Sequence, residues 1–425
     1  MKNTRLAALG VVTALALTAC GGSSDDTSSD DASAGKTKVR VWLVGTDTPQ
    51  PARDYAVAEF ARTHPKAELV IEQQVWDGLV DKLTTALSGN DSPDVVEVGN
   101  TQAVAFTSAG AFADLTSKKA ELGGDDLLKG FVEAGTYQDK LYAVPYYAGS
   151  RLVFFRKDLM AKAQLKQPQT LEEFVSTGEK LKAKGANDFS GIYFPGQDWR
   201  NALPFIWSAG GDLAVEKDGK WQGSLSSPQS VQGLRQVQRV ITKASGAPKD
   251  GNETDPQVPY CAGKIGMLSA PGWVKGSIIA PKDKGGCPEA EKNLGVFALP
   301  GATPGSTAPV FAGGSNIAVA AKSKHQDLAK EALALLLSDG YQTKLATAGL
   351  IPAKTSLFSA LGKDEVATAT AKAASNTKLT PAAPGWANVE SDKILEDLFV
   401  GIAGGGDVAK LAAAADQKMT AALNR

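Results

Sequence analysis

The sequence predicts an α/β fold divided between two lobes, and two observations carry that expectation. Residues 39–100 alternate strand and helix at the spacing of a parallel sheet with helices on its faces. Beyond an N-terminal tail about 390 residues remain, more than one hydrophobic core usually accommodates. Val39-Arg40-Val41-Trp42-Leu43-Val44 is β-rich and forms the first predicted strand. A helix over 51–63 places Ala56, Phe60 and Ala61 at helical spacing, and Leu69-Val70-Ile71 is the second strand. A helix over 77–88 carries Leu79, Leu83 and Leu87, a four-residue apolar stripe. Asp94-Val95-Val96-Glu97-Val98 is the third strand, and a helix from about 101 follows Gly99-Asn100.

The pattern then becomes mixed. Tyr142 to Pro145 is extended and Leu152-Val153-Phe154-Phe155 reads as a strand. Thr170 and Glu173 have capping-box spacing, which opens a helix over 171–184. Gly191 to Phe194 is another strand, followed by a helix over about 199–209 and a hairpin around Asp218-Gly219 with Trp221 on its second arm. Ser227-Pro228 supplies an N-cap with proline at N1 for a helix over 228–244. Ile265 to Leu268 and Gly295 to Ala298 read as strands of a second sheet, and Leu299 to Pro309 as a linker. Asn316 to Ala320 is one more strand, Leu328 to Leu337 a helix, and the remainder is helical, including 389–402 and 408–423.

The N-terminus has Lys2 and Arg5 ahead of an uncharged apolar run from Leu6 to Ala19, the layout of a secretory signal peptide over 1–19. The run is too short for a bilayer span, which needs roughly twenty residues. Leu17-Thr18-Ala19-Cys20 resembles a bacterial lipobox, whose cysteine is lipidated, palmitate included, and becomes the mature N-terminus; a plain signal peptide with a chance cysteine is the alternative. Gly21 to Gly35 holds no large apolar residue and four aspartates, so residues 20–35 are expected to form a lipidated cysteine and a disordered tether. A chain of that length reaches about 20 Å. The expected location is extracytoplasmic, on a membrane face.

Processing would leave 43 basic against 46 acidic residues, without the basic footprint that nucleic acid demands. Cys261 and Cys287 would then form an even pair in an oxidising compartment, which favours a disulfide over two buried thiols. His64 and His325 each stand alone, so no metal site is expected, nor a cofactor. Nucleophilic catalysis needs a base beside its nucleophile, and neither histidine lies in such a setting. A glycosidase carboxylate pair stays open, because acidic residues are plentiful and none is singled out.

Aromatic and amide residues stand out where strands end. Gly45, Thr46 and Asp47 follow the first strand, and Asn100, Thr101 and Gln102 the third, where open α/β sheets bind ligands. Tyr146-Tyr147 follow Pro145, and Trp199 follows Pro195-Gly196. Trp273 and Trp386 each follow Pro-Gly, which favours ligand contact, whereas Trp42 is expected in the core, Trp76 and Trp207 in packing, and Trp221 bracing its hairpin. Asn100 and Gln102 could equally serve as helix caps. Aromatic plates with neutral polar groups suit an uncharged sugar, which combines C–H faces with a hydroxyl fringe.

Val41-Trp42, Asp94 to Asn100, Val144-Pro145-Tyr146-Tyr147 before Arg156-Lys157-Asp158-Leu159, Gly191 to Gly196, Ala209-Gly210-Gly211-Asp212, Pro271-Gly272-Trp273 and Gly313-Gly314-Ser315 occur in a fixed order. Together they resemble the maltodextrin-type extracellular solute-binding proteins of ABC sugar importers (family 1), and within them the chitobiose and N-acetylglucosamine binders most, with cellobiose binders next. The resemblance implies a periplasmic-binding-protein-like fold of type II, with three crossings between lobes near Tyr147-Ala148, Leu299-Pro300 and Ile351-Pro352. It implies a first lobe over 36–146, a second over 147–300, a return to the first over 301–350 and a helical return to the second over 351–425. Thr46, Asp47, Asn100 and Gln102 would line the first lobe, with Thr101, Tyr147, Gly314 and Ser315 beside them. Trp199, Trp273 and Trp386 would be the second lobe's sugar platforms. The chain departs from the family at Gly149, near which maltodextrin binders carry an acidic ligand residue, so its hydroxyl pattern must differ. The implied protein is a monomer that performs no chemistry and hands an oligosaccharide to membrane permease subunits. A sugar-sensing or adhesive ectodomain and an extracellular glycoside hydrolase are the rivals.

Overall fold

A computed structural model describes residues 35–76 and 78–425. The expected signal peptide, Cys20 and all but the last residue of the tether lie outside these. Residues 37–425 form one compact unit. Its elements begin with β1 (Thr37–Val44), α1 (Gln50–Thr63), β2 (Ala67–Gln74), α2 (Leu79–Ser88), β3 (Val95–Gly99) and α3 (Ala103–Ser108). β1 pairs in parallel with β2 and β3, as strand–helix–strand alternation requires. Both faces of this sheet are covered. Val39, Val41 and Leu43 join Phe60 on one side, while Trp42 and Val44 join Leu79, Leu83 and Leu87 of α2 on the other. The α2 leucines are buried as their four-residue spacing predicts, each contributing about 1.5–3 kcal/mol by leaving water.

Next come β4 (Ala143–Arg156), α4 (Leu171–Lys182), β5 (Ser190–Tyr193), α5 (Trp199–Ser208), α6 (Pro228–Arg239), β6 (Ile265–Pro271), β7 (Leu294–Phe297) and β8 (Val310–Val319). α7 (Gln326–Leu336), α8 (Asp339–Thr347), β9 (Ile351–Pro352), α9 (Trp386–Ser391), α10 (Ile394–Ala403) and α11 (Val408–Leu423) complete the set used below. The expected second sheet is not separate. β4 is one 14-residue strand whose first half pairs with β8 and whose second half pairs with β6 and β7, so the order runs β2-β1-β3-β8-β4-β6-β5. Pro145 and Gly149 lie inside this strand and read as breaks in the sequence, so its two halves are expected there as two elements.

The hydrophobic residues nevertheless separate. Leu152 to Phe155, Phe174, Ile192, Ile206, Leu234, Leu268, Phe399 and Met419 belong to one large core. Ile317, Leu333, Leu336, Tyr341 and Leu345 return to the core around β1. The architecture is thus two-lobed, with β4 and β8 running between the lobes.

Three local expectations shift. The 228–244 helix stays α-helical only to Arg239 and ends in a π-helical turn over Val240–Ala244. The 389–402 helix is two, α9 and α10, broken where Lys393 adopts φ +53°. The proline-rich stretch after Leu299 is a closed loop, with Ala308 N donating to Leu299 O at 2.9 Å. The caps form: Thr170 Oγ1 accepts from Glu173 N, while the Glu173 carboxylate accepts from Gln169 N. Cys261 and Cys287 are joined by a disulfide. Among the described residues no helix is long and apolar enough to cross a membrane.

Candidate functional site

The carboxyl ends of β1 and β3 lie side by side, since the two strands pair in parallel. After β1 the chain turns at Gly45 (φ +64°), where an added Cβ would meet Trp76 Nε1 at 2.8 Å. At Gly99, closing β3, a Cβ would stand 3.5 Å from Trp76 Cζ3. The Trp76 indole therefore spans both strand ends over two glycines. It is 42% exposed and does not fill a core position, which corrects the expectation of packing. Its carbonyl accepts from Leu79 N at 3.2 Å and fixes it to the start of α2.

Asp47 lies beside it. Its Oδ2 accepts from the Tyr147 hydroxyl at 3.0 Å, and the Trp76 Nε1 edge lies near the same carboxylate beside Gly45. Burial raises the Asp47 pKa while these two neighbours pull it back. Glu97, in the middle of β3, is wholly buried. Its Oε2 accepts from Val44 N at 2.8 Å and its Oε1 from Ser315 Oγ at 2.7 Å, so one carboxylate ties β1, β3 and β8 together. Burial pushes its pKa up to about 7 against those donors.

The predicted first-lobe residues gather here in different roles. Asn100 is pinned to β8: its N–H donates to Gly314 O at 3.1 Å and its Nδ2 to Ala312 O at 2.9 Å. Neither Asn100 nor Gln102 caps α3 through its side chain. Gln102 Oε1 is buried without a partner among the described residues, and Thr46 is exposed. Thr101 Oγ1 donates to Glu390 Oε2 on α9 at 3.4 Å, a link from one lobe to the other. Gly314 (φ +132°) lets β8 pass β4 closely; a Cβ there would strike Tyr147 O at 2.4 Å.

On the second lobe a cavity of about 340 Å³ opens beneath Trp273. Trp273 is 46% exposed, and its ring rests on the β4 backbone, where a Cβ on Gly149 would be 2.4 Å from Cζ3. The missing side chain at Gly149 thus has a physical reason: the indole occupies its space. Phe311, Pro271 and Val274 add apolar wall, and Arg151, Asp198, Arg200, Glu253 and Ser269 add a polar one. Arg151 is buried and ion-paired with Glu253, which also accepts from Arg200 at 3.1 Å. Asn201 organises the rest: its Oδ1 accepts from Arg151 at 3.2 Å and Ser269 Oγ at 2.7 Å, and its Nδ2 donates to Asp198 Oδ2 at 2.6 Å. Burial, reinforced by Glu253, pushes Asp198 up to about 7. Glu253 meets the same desolvation but is held below the usual carboxylate range by the two guanidiniums.

Along β4, Tyr147, Gly149 and Arg151 alternate onto one face. That face carries the Asp47 contact, the Trp273 ring and the ion network in sequence, spread over roughly 13 Å of strand. It joins the first-lobe polar set to the second-lobe cavity.

Trp199 and Trp386 are placed differently from the expectation of platforms. Each is 1% exposed, and they meet edge to face at 6.3 Å. Arg200 stands 4.3 Å over the Trp199 ring, between it and the cavity, and Trp199 Nε1 donates to Glu396. Trp386 is covered because α11 lies against its Pro-Gly turn; a Cβ on Gly385 would be 2.5 Å from Leu423 O. Both rings back the cavity wall and neither lines it. The ion network was the part missed by sequence. Asp198-x-x-Asn201 is an N-cap signal that could have placed Asp198 and Asn201 at a helix start, whereas Glu253, in a Gly/Asp-rich loop, carries none. No group of three or more histidine, cysteine or acidic residues able to hold a metal ion occurs among the described residues.

Residues 45–343 match the family described as bacterial extracellular solute-binding protein. The chain is 39% identical over 402 residues to the diacetylchitobiose binding protein DasA of Streptomyces coelicolor, covering 92% of each. In structure it resembles the sugar-binding protein MalE of Xanthomonas citri (TM-score 0.79, 23% identity, 91% of this chain and 98% of that one). It also resembles the GacH receptor of Streptomyces glaucescens, seen both unliganded and with acarbose (TM-score 0.73, 21% identity, 92% and 99%).

Proposed function

The chain belongs to the bacterial extracellular solute-binding protein family, whose members bind solutes and are not enzymes, and from that premise we propose that it is a lipid-anchored ABC-importer receptor for a neutral oligosaccharide of the diacetylchitobiose type. A cellobiose-type sugar is the next candidate. One observation carries the proposal: a half-exposed indole lies on a side-chain-free stretch of strand, at the mouth of a 340 Å³ cavity whose far wall is a hydrogen-bonding network. The volume falls in the range of small-molecule sites. An N-acetylhexosamine offers an apolar ring face and methyl to Trp273 and Phe311, and an amide and hydroxyls to Arg200, Ser269 and Glu253. The 39% identity to a protein named for diacetylchitobiose binding supports the same class.

Thr46, Asp47, Thr101, Gln102 and Tyr147 would contribute from the first lobe, with Asn100, Gly314 and Ser315 holding the backbone that presents them. Trp199 and Trp386 would hold Arg200 and Phe311 in place from behind. Hinge closure about β4, β8 and β9 would bury the sugar, and the closed form would dock on the permease. Two or more acyl chains on Cys20 suffice for stable anchoring, where one is marginal. A thermal-shift panel tests the class. Diacetylchitobiose at 100 times its Kd adds about 2.7 kcal/mol and should raise the Tm by several degrees, while maltose should not. Absence of a shift with every neutral mono- and disaccharide would overturn the proposal.

A further inference from the structure

We infer that Trp76 is a second sugar platform, contributed by the first lobe, and that Trp76 and Trp273 together select disaccharides whose consecutive rings expose their apolar faces on opposite sides, the β-1,4-linked class. The inference deepens the function proposed above and rests on it.

The chain has seven tryptophans, and all lie among the described residues. Trp42, Trp199, Trp207 and Trp386 are buried, and Trp221 is half-buried against the end of α11. Only Trp76 and Trp273 are exposed, one on each lobe. Exposing an indole forgoes the burial that an aromatic ring ordinarily contributes to a core, and here each exposed ring is built into place. Both lie on glycine. Trp273 covers Gly149 on β4, and Trp76 covers Gly45 and Gly99 at the ends of β1 and β3. At Gly45 and Gly149 a Cβ would come within 3.0 Å of the indole, so the missing side chains are what seats the rings.

Trp76 is also oriented. Its Nε1 edge is turned toward Gly45 and the Asp47 carboxylate, which accepts from the Tyr147 hydroxyl. That uses the polar edge of the indole and leaves ring face for a ligand. The neighbouring Gln102 Oε1 is buried without a donor among the described residues, so a sugar hydroxyl or amide N–H reaching that spot would satisfy it. Tyr147 lies two residues from Gly149 on the same strand face, so the Asp47–Tyr147 pair links the Trp76 seat to the Trp273 seat along one face.

The linkage preference follows from sugar geometry. In a β-1,4-linked pair each ring is turned over relative to its neighbour, so one apolar face points up and the next points down. An α-1,4-linked pair curves and keeps its apolar faces on one side. Plates carried by two different lobes match the first arrangement, and plates on one wall would match the second.

The test is calorimetry on Trp76→Ala and Trp76→Phe in the full-length mature protein, with diacetylchitobiose, cellobiose, maltose and N-acetylglucosamine as titrants. Trp76→Ala should weaken diacetylchitobiose at least 30-fold and N-acetylglucosamine less than threefold, because a single ring can rest on Trp273 alone. Trp76→Phe should recover affinity to within about fivefold. The Tm of the unliganded Trp76→Ala variant should match wild type within about 2 °C, which a merely structural role would not allow. Unchanged disaccharide affinity in Trp76→Ala, with wild type binding normally, would overturn the platform and leave the receptor function standing. Equal loss for mono- and disaccharide would overturn the two-plate division. Wild type failing to bind any of the four sugars would remove the functional proposal, and this inference with it.

Discussion

Adding one methyl group at Gly149 separates the ligand site from the fold. Gly149 is in extended strand backbone opposite Gly313, so alanine meets no conformational penalty there. Its Cβ would be 2.4 Å from Trp273 Cζ3 and 3.2 Å from Cε3, well inside contact distance. Something must move. The β4 backbone is hydrogen-bonded on both sides and buried, whereas Trp273 is 46% exposed and opens a short helix over Val274–Ile278. The indole is the softer partner and should swing outward. Overpacking a rigid site costs typically 1–3 kcal/mol, but an exposed ring can escape most of that, so stability should fall by less than about 1 kcal/mol. Binding should suffer more: losing a central aromatic anchor costs about 2 kcal/mol or above, roughly 30-fold in Kd. Calorimetry with diacetylchitobiose on Gly149→Ala, Trp273→Ala and the double variant forms a cycle. The expected result is strong non-additivity, since Gly149→Ala has nothing left to displace once the indole is gone. Wild-type affinity in Gly149→Ala, or fully additive losses, would refute the reasoning.

Other outcomes follow from the same structure. Glu97 has its pKa raised by burial from 4.5 to about 7, so the folded state binds the proton more tightly than the unfolded chain does. Its contribution is therefore fully present below pH 4.5 and is lost as pH rises to about 7; Glu97→Gln should gain on wild type by about 2–3 kcal/mol between pH 5 and pH 8 in urea denaturation. Removing the Cys261–Cys287 bridge frees a loop of 26 residues' separation and should cost about 3 kcal/mol. Because that loop carries Trp273, the reduced protein should show both a lower Tm in calorimetry and weaker sugar binding. Cys20→Ser should shift the protein from the detergent phase to the aqueous phase in detergent-partition assays of cells expressing the full chain.

The fold was legible where periodicity is local. Leu79, Leu83 and Leu87 and the alternation of Val39, Val41 and Leu43 announce a helix face and a strand face directly, and both are buried as spaced. Continuity across lobes is not legible, because Pro145, Gly149 and Arg151 interrupt the apolar pattern of β4 and its change of partner from β8 to β6 is a property of tertiary pairing. The strand-end rule brings Asp47, Asn100, Thr101 and Gln102 to one region, which Tyr147 joins from within β4 and not from a strand end. It could not tell an open indole from a covered one. Pro-Gly precedes both Trp273 and Trp386, yet the end of α11, at Leu423 nearly forty residues further along, closes over the second. Trp76 is illegible for the converse reason: the glycines that seat it, Gly45 and Gly99, are distant in sequence and mark no pattern until β1 and β3 are placed side by side. Arg151 and Glu253 lie 102 residues apart, and nothing in the sequence couples them.

The most direct measurement titrates diacetylchitobiose into the wild-type mature protein by calorimetry, followed by mass spectrometry of the recovered sugar. A saturable one-to-one heat, abolished or weakened at least 30-fold in Trp273→Ala, with the disaccharide returned at its original mass, is the result expected of a receptor that grips and releases. No heat, equal heat in Trp273→Ala, or recovery of the monosaccharide would contradict it.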